Sequence, residues 1–135
     1  MSSRYILMLE YDEDDQYITR EYLDSTIPVT LVGSSDDFWS FLENCRMKKK
    51  DLPSLIMLTY YSVPLTSTEI IRKIKSNKEF AHIPVIVLSG VNTPKIVSEC
   101  YSAGASSFIQ KPALVKDIRN KINTFVNYWF HTVEL

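Results

Sequence analysis

Short apolar runs rich in branched residues alternate along this chain with longer segments of helical period. That alternation restricts the fold more than any other feature. Ile6 to Leu9, Val29 to Val32, Leu55-Ile56-Met57-Leu58, Val85-Ile86-Val87-Leu88 and Ser107-Phe108-Ile109 each have the length of a strand. The run at Val85 is apolar at every position, which suits a parallel strand buried on both faces. Between these runs, Asp12 to Asp24 carries Ile18 and Tyr22 on one face, with Asp12 as N-cap and acids in the first turn. Asp36 or Asp37 is placed to cap a helix bearing Phe38, Trp39, Phe41 and Leu42. Ser67 or Thr68 opens one with Ile70, Ile71 and Ile74 facing inward. Thr93-Pro94 is an N-cap and N1 pair, Gly104 the left-handed residue that ends its helix, and Pro112 opens a last helix to about Trp129.

Strict alternation with right-handed crossovers predicts an open, doubly wound parallel sheet of five strands with five helices on its two faces, for which the order 2-1-3-4-5 is taken. At 135 residues the chain reads as a single domain over 1–135. In such a sheet, ligands bind outside the carboxyl ends of the strands, near the switch point between strands 1 and 3. The residues to read are therefore Glu10 to Asp15, Thr59 to Val63, Ser89-Gly90 and Lys111-Pro112.

Composition narrows the function. A formal net charge of -1 argues against a nucleic-acid partner, which needs a basic patch to displace counterions. The one basic run, Lys48-Lys49-Lys50, is followed by Asp51 and reads as a solvated loop. No apolar run has the length to span a bilayer, and the start lacks a signal-peptide pattern, so a cytoplasmic location is expected. Cys45 and Cys100 stand apart without a CxxC, and His82 and His131 have no second ligand at metal-binding spacing.

The strand-end residues resemble those of a response-regulator receiver domain of two-component signalling, a flavodoxin-like fold. The acidic cluster Glu10-Tyr11-Asp12-Glu13-Asp14-Asp15, the stretch from Ile74-Lys75 through His82-Ile83-Pro84 to Ser89, the turn Ala103-Gly104-Ala105 and the terminal Phe108-Ile109-Gln110-Lys111-Pro112 carry the likeness. It covers essentially the whole chain. In that family an aspartate ending strand 3 accepts a phosphoryl group from a phosphohistidine. Mg²⁺ is held by that aspartate, by acids after strand 1 and by a carbonyl two residues past the acceptor. A Ser or Thr after strand 4 and a Lys after strand 5 contact the phosphoryl oxygens, where cation and ammonium neutralise developing charge. The Lys-Pro bond is typically cis.

Carried over, the resemblance makes Lys111 the lysine, Ser89 the hydroxyl and Glu10 the first acid. Tyr61 would supply the carbonyl, and Phe108 stands where many receivers carry a switch aromatic. The acceptor position, however, is Thr59, and Tyr11 stands where the second metal-binding acid belongs. The family's usual proline lies one residue earlier than Pro64, and its Asp-Gly pair is replaced by Thr66-Ser67. Mg²⁺ is usually held by one or two carboxylates plus waters and substrate oxygens. With Glu10 alone, or Glu10 aided by Asp12, binding is expected to be weak or absent. A carboxylate attacks phosphorus in its ionised form, whereas an alcohol needs a base, and none is placed beside Thr59.

These residues also have plainer uses. Lys111 pairs naturally with Glu10 once the acceptor acid is gone, Ser89 suits a strand-end hydroxyl bonding backbone, and Phe108 suits packing. The reading is an atypical receiver, not an enzyme and without a resident cofactor, that acts through signalling proteins such as a histidine kinase or an output protein. A homodimer through the helix 4–strand 5–helix 5 face, aided by Tyr128-Trp129-Phe130, belongs to that expectation. The runner-up is an active phosphoacceptor using Asp12 or Asp14 as a displaced acid. A flavin- or nucleotide-binding enzyme is the third possibility, but its loop after strand 1 would carry Gly, Ser or Thr where this chain carries acids.

Overall fold

The computed structural model describes residues 4–23, 27–111 and 115–134. Five strands, β1 (Ile6–Leu9), β2 (Val29–Val32), β3 (Leu55–Thr59), β4 (Val85–Ser89) and β5 (Ser107–Gln110), form one parallel sheet of order β2-β1-β3-β4-β5. Five helices alternate with them: α1 (Glu13–Leu23), α2 (Ser35–Met47), α3 (Ser67–Ser76), α4 (Pro94–Ala103) and α5 (Val115–Val126). The last continues as a π-helical turn over Asn127–Thr132. The expected architecture and strand order are thus present.

The apolar strands follow from burial on both faces. Leu7, Leu9, Ile56, Leu58, Val85 and Val87 pack against Phe38 and Leu42 of α2 and Ile70, Ile71 and Ile74 of α3. The alternate residues Ile6, Met8, Leu55, Met57 and Ile86 turn to the other face, against Phe125 and Val126 of α5 and Phe130 beyond it. Each fully buried Leu, Ile or Phe contributes about 1.5–3 kcal/mol relative to exposure, so the central strands anchor the sheet. The edge strands β2 and β5 are only partly covered. Both cysteines are buried and unpaired. No helix among the described residues is long and apolar enough to cross a membrane.

Several caps differ from the sequence reading. Ser34, not Asp36 or Asp37, caps α2, its Oγ accepting from Asp37 N at 3.1 Å. Thr66 caps α3 through Glu69 N, so Ser67 lies inside the first turn. In both cases a hydroxyl one to three residues upstream reaches the third-residue amide, and the acids sit in the first turn where the dipole favours them. Thr93 caps α4 with Pro94 at its first position, as expected. Gly104 ends α4 at φ 120. The expected helix start at Pro112, the Lys111–Pro112 bond and the side chain of Tyr22 lie outside the described residues. The Val63–Pro64 bond is cis.

The terminal aromatics divide between core and surface. Phe130 is buried beneath the Arg4 guanidinium at 4.8 Å, Trp129 packs against the core and Tyr128 stays exposed.

Candidate functional site

Parallel register sets the strand ends side by side. Leu9 pairs with Leu58, Thr59 with Leu88 and Ser89 with Gln110, so Glu10, Thr59, Ser89 and Lys111 emerge together at the carboxyl edge of the sheet. They line a cavity of about 400 Å³, with Tyr11, Asp12, Asp15, Tyr61 and Gly90 among its other walls.

Thr59 is 3% exposed, and its Oγ1 lies 3.1 Å from Leu9 O and 3.2 Å from Tyr61 O. One hydroxyl proton serves both carbonyls, tying β3 to the end of β1 and to its own following loop. Ser89 is likewise turned to backbone: its Oγ donates to Val91 O at 2.6 Å and accepts from Val91 N at 3.0 Å. Both hydroxyls are thereby satisfied locally.

Charge in the cavity centres on Lys111. Its Nζ donates to Glu10 Oε1 at 2.6 Å and to Asp15 Oδ2 at 2.9 Å. Glu10 is buried, and its second oxygen accepts from Asp12 N at 3.2 Å. Burial pushes the Glu10 carboxyl above its ordinary value, against the opposing pull of Lys111 and the Asp12 N–H. Burial alone would lower Lys111, but hydrogen bonds and charge from Glu10 and Asp15 overcome it and raise the ammonium pKa. The proton therefore stays on the lysine. Asp12 caps α1, its Oδ1 accepting from Asp15 N at 3.0 Å.

No protein-family profile matches the chain. Among curated proteins, the two-component response regulator ARR6 of Arabidopsis thaliana is 28% identical over 116 residues, covering 78% of this chain and 62% of that protein. The two-component response regulator ORR13 of Oryza sativa subsp. japonica is 26% identical over 124 residues, covering 91% of this chain and 98% of its own length. The chain thus spans less than two thirds of the Arabidopsis relative. Among solved structures, the phosphorylated cyanobacterial phytochrome response regulator RcpA superposes with a TM-score of 0.88, at 23% identity, over 100% of this chain and 99% of that one. Homology and fold agree. The chain is similar in sequence to two-component response regulators and in fold to their receiver domains.

The receiver framework brings together Glu10, Thr59, Ser89 and Lys111 as the sequence predicts. Tyr11 does not fill the cavity: it is 51% exposed and meets the Tyr61 ring edge-on at 5.4 Å on the rim. The Tyr61 carbonyl faces the Thr59 hydroxyl. Phe108 is half-buried against the α2–α3 core, and its amide donates to the Tyr101 hydroxyl at 3.1 Å. Asp14 is exposed. Among the described residues, no cluster of three metal-ligating side chains forms.

Asp15 lies in the stretch marked after strand 1, but the sequence does not foresee its pairing with Lys111. It lies three residues past the Asp12 cap, where a first-turn acid is explained by the helix dipole alone. Its long-range role depends on Lys111, 96 positions away.

Proposed function

We propose that this receiver acts without phosphoryl transfer, as a protein-interaction module in a two-component or related signalling network. The observation that carries the reading is Lys111, which is satisfied by Glu10 and Asp15 while the acceptor position holds a buried alcohol turned to backbone carbonyls. Ordinarily the lysine would answer the charge of an aspartate and its phosphoryl group. Here two other carboxylates supply that charge, so the network is complete without phosphorylation.

The donor set fits Mg²⁺ poorly. Glu10 is committed to Lys111, Asp12 to the first turn of α1, and the Tyr61 carbonyl to Thr59. Weak binding is the most such a set supports, because Mg²⁺ demands near-octahedral oxygens and surrenders water reluctantly. The cap on α1 likewise argues against Asp12 as a displaced acceptor. Partners would be signalling proteins, a histidine kinase or an output protein, in the cytoplasm. The α4–β5–α5 face, where Tyr128 is exposed, is the surface for a homodimer or an output contact.

The test is intact-mass analysis of the native protein incubated with a small phosphodonor and Mg²⁺. The proposal expects unmodified protein throughout. A stable phosphoryl adduct that disappears in Asp12→Asn or Asp14→Asn would replace it with the displaced-acid reading.

A further inference from the structure

The carboxyl edge of the sheet exposes two aromatic rings side by side. Tyr11 and Tyr61 are 51% and 65% exposed, and their rings meet edge-on, with 73° between the planes. Val91 is exposed on the same rim. Tyrosine is enriched at the buried centres of protein interfaces, where it pairs with anchors such as arginine. Charge says which kind of partner fits. Asp12, Glu13 and Asp14 are exposed beside Tyr11, and Asp36 and Asp37 open α2 just past the end of β2, which lies against β1. Among the described residues, no ion pair takes up any of these five carboxylates. Lys111, the lysine lining the cavity, is already shared between Glu10 and Asp15. The opposite edge is basic: Arg20, Arg46, Lys73 and Lys75 lie in the last turns of α1, α2 and α3. A net charge of -1 thus hides a polarised molecule, which draws cations towards the tyrosine pair and turns anions away from it. The helix dipole accounts for acids in a first turn, but not for two exposed rings among them.

We propose that the Tyr11–Tyr61 pair and the acids around it are a docking surface for an arginine-bearing segment of a partner protein. A guanidinium stacks flat on a tyrosine ring while its N–H fork reaches a neighbouring carboxylate; an ammonium offers only a point charge. Tyr11 stands directly before Asp12 in the chain, so ring and carboxylate arrive on adjacent residues. The inference rests on the reading of this chain as a phosphorylation-independent interaction module, and it names the chemistry of the partner.

The experiment is an NMR titration of the full chain with a short peptide alternating arginine and glycine, at about 0.15 M salt so that diffuse attraction is screened. A matching glutamate–glycine peptide is the second arm. Saturable shifts are expected at the Tyr11 and Tyr61 rings and the Glu13 and Asp14 amides with the arginine peptide, and none with the glutamate peptide. Tyr11→Ala and Tyr61→Ala should each weaken binding about threefold, the size of an exposed cation–ring contact. Tyr61→Phe should retain binding, because the cation meets the ring face and not the hydroxyl. Undiminished binding in both alanine variants, shifts centred elsewhere, or no saturable shift would overturn the proposal. Absence of arginine binding without any phosphoryl adduct would end this inference alone. An adduct with arginine binding intact would end only the phosphorylation-independent reading.

Discussion

Thr59 has one hydroxyl proton and two backbone carbonyls within reach, so its side chain works as a tie between the ends of β1 and β3. Thr59→Val keeps the shape and removes the donor. Chemical denaturation should show a loss of about 1 kcal/mol, the usual net worth of a buried neutral hydrogen bond. Lys111→Met is expected to cost more, about 2–3 kcal/mol, because it strands the buried Glu10 carboxylate; the lysine's partial exposure keeps the figure below that of a fully buried pair. The pH dependence has a definite sign. A carboxyl raised in the folded state contributes stability below its unfolded pKa and loses it as pH rises through the folded one. Lys111→Met should therefore be less destabilised at pH 5 than at pH 8, and denaturation at both values checks this. In the native protein the Lys111 contribution, from an ammonium raised above its ordinary 10.5, is full below that value and lost only in stronger alkali. The Glu10–Lys111 pair was legible because both residues belong to a recognisable pattern. Asp15 was not, because nothing local to α1 points to a partner at the far end of the chain.

Helix ends follow hydroxyl geometry more closely than charge. Ser34 and Thr66 cap α2 and α3, while the sequence favoured Asp36, Asp37, Ser67 or Thr68, all of which lie within the first turn. Several polar residues in a row make the choice ambiguous, since each has an oxygen able to accept from an amide and only the chain's entry angle decides. Thr93-Pro94 was unambiguous because proline fits the first helical position and not the interior. Gly104 was equally plain, and the structure adds a packing reason. At φ 120, a Cβ there would also lie 2.7 Å from Lys75 Cγ. Lys75 is itself held, its Nζ donating to Ala81 O and Ile83 O at 3.1 Å each. Gly104→Ala should lower stability by about 1–3 kcal/mol, measured by thermal or chemical unfolding, with the backbone strain of a non-glycine residue at positive φ as the main cause.

At the scale of the molecule, alternation of apolar runs with helical segments was enough to specify a parallel sheet covered on both faces and the edge where the site lies, whereas its strand order was taken from the known sheets of that type. Residues such as Leu7 and Met8 are buried on opposite faces, which is why the strands read as continuous apolar runs. The orientation of side chains at that edge was less legible. The sequence left open whether Tyr11 enters the cavity, and its ring stands outside against Tyr61. In this fold the lysine at the end of β5 already holds two carboxylates, and the residue ending β3 is an alcohol. Restoring two acids should reverse part of that state. The double variant Thr59→Asp with Tyr11→Asp is expected to gain Mg²⁺-dependent binding of beryllofluoride, read by tryptophan fluorescence or NMR. The central claim is tested most directly on the native protein, by titrating Mg²⁺ and then beryllofluoride while recording the backbone amide resonances of Thr59, Ser89 and Lys111. The account predicts that all three stay in place in a well-dispersed spectrum; saturable, Mg²⁺-dependent movement of the three together would contradict it.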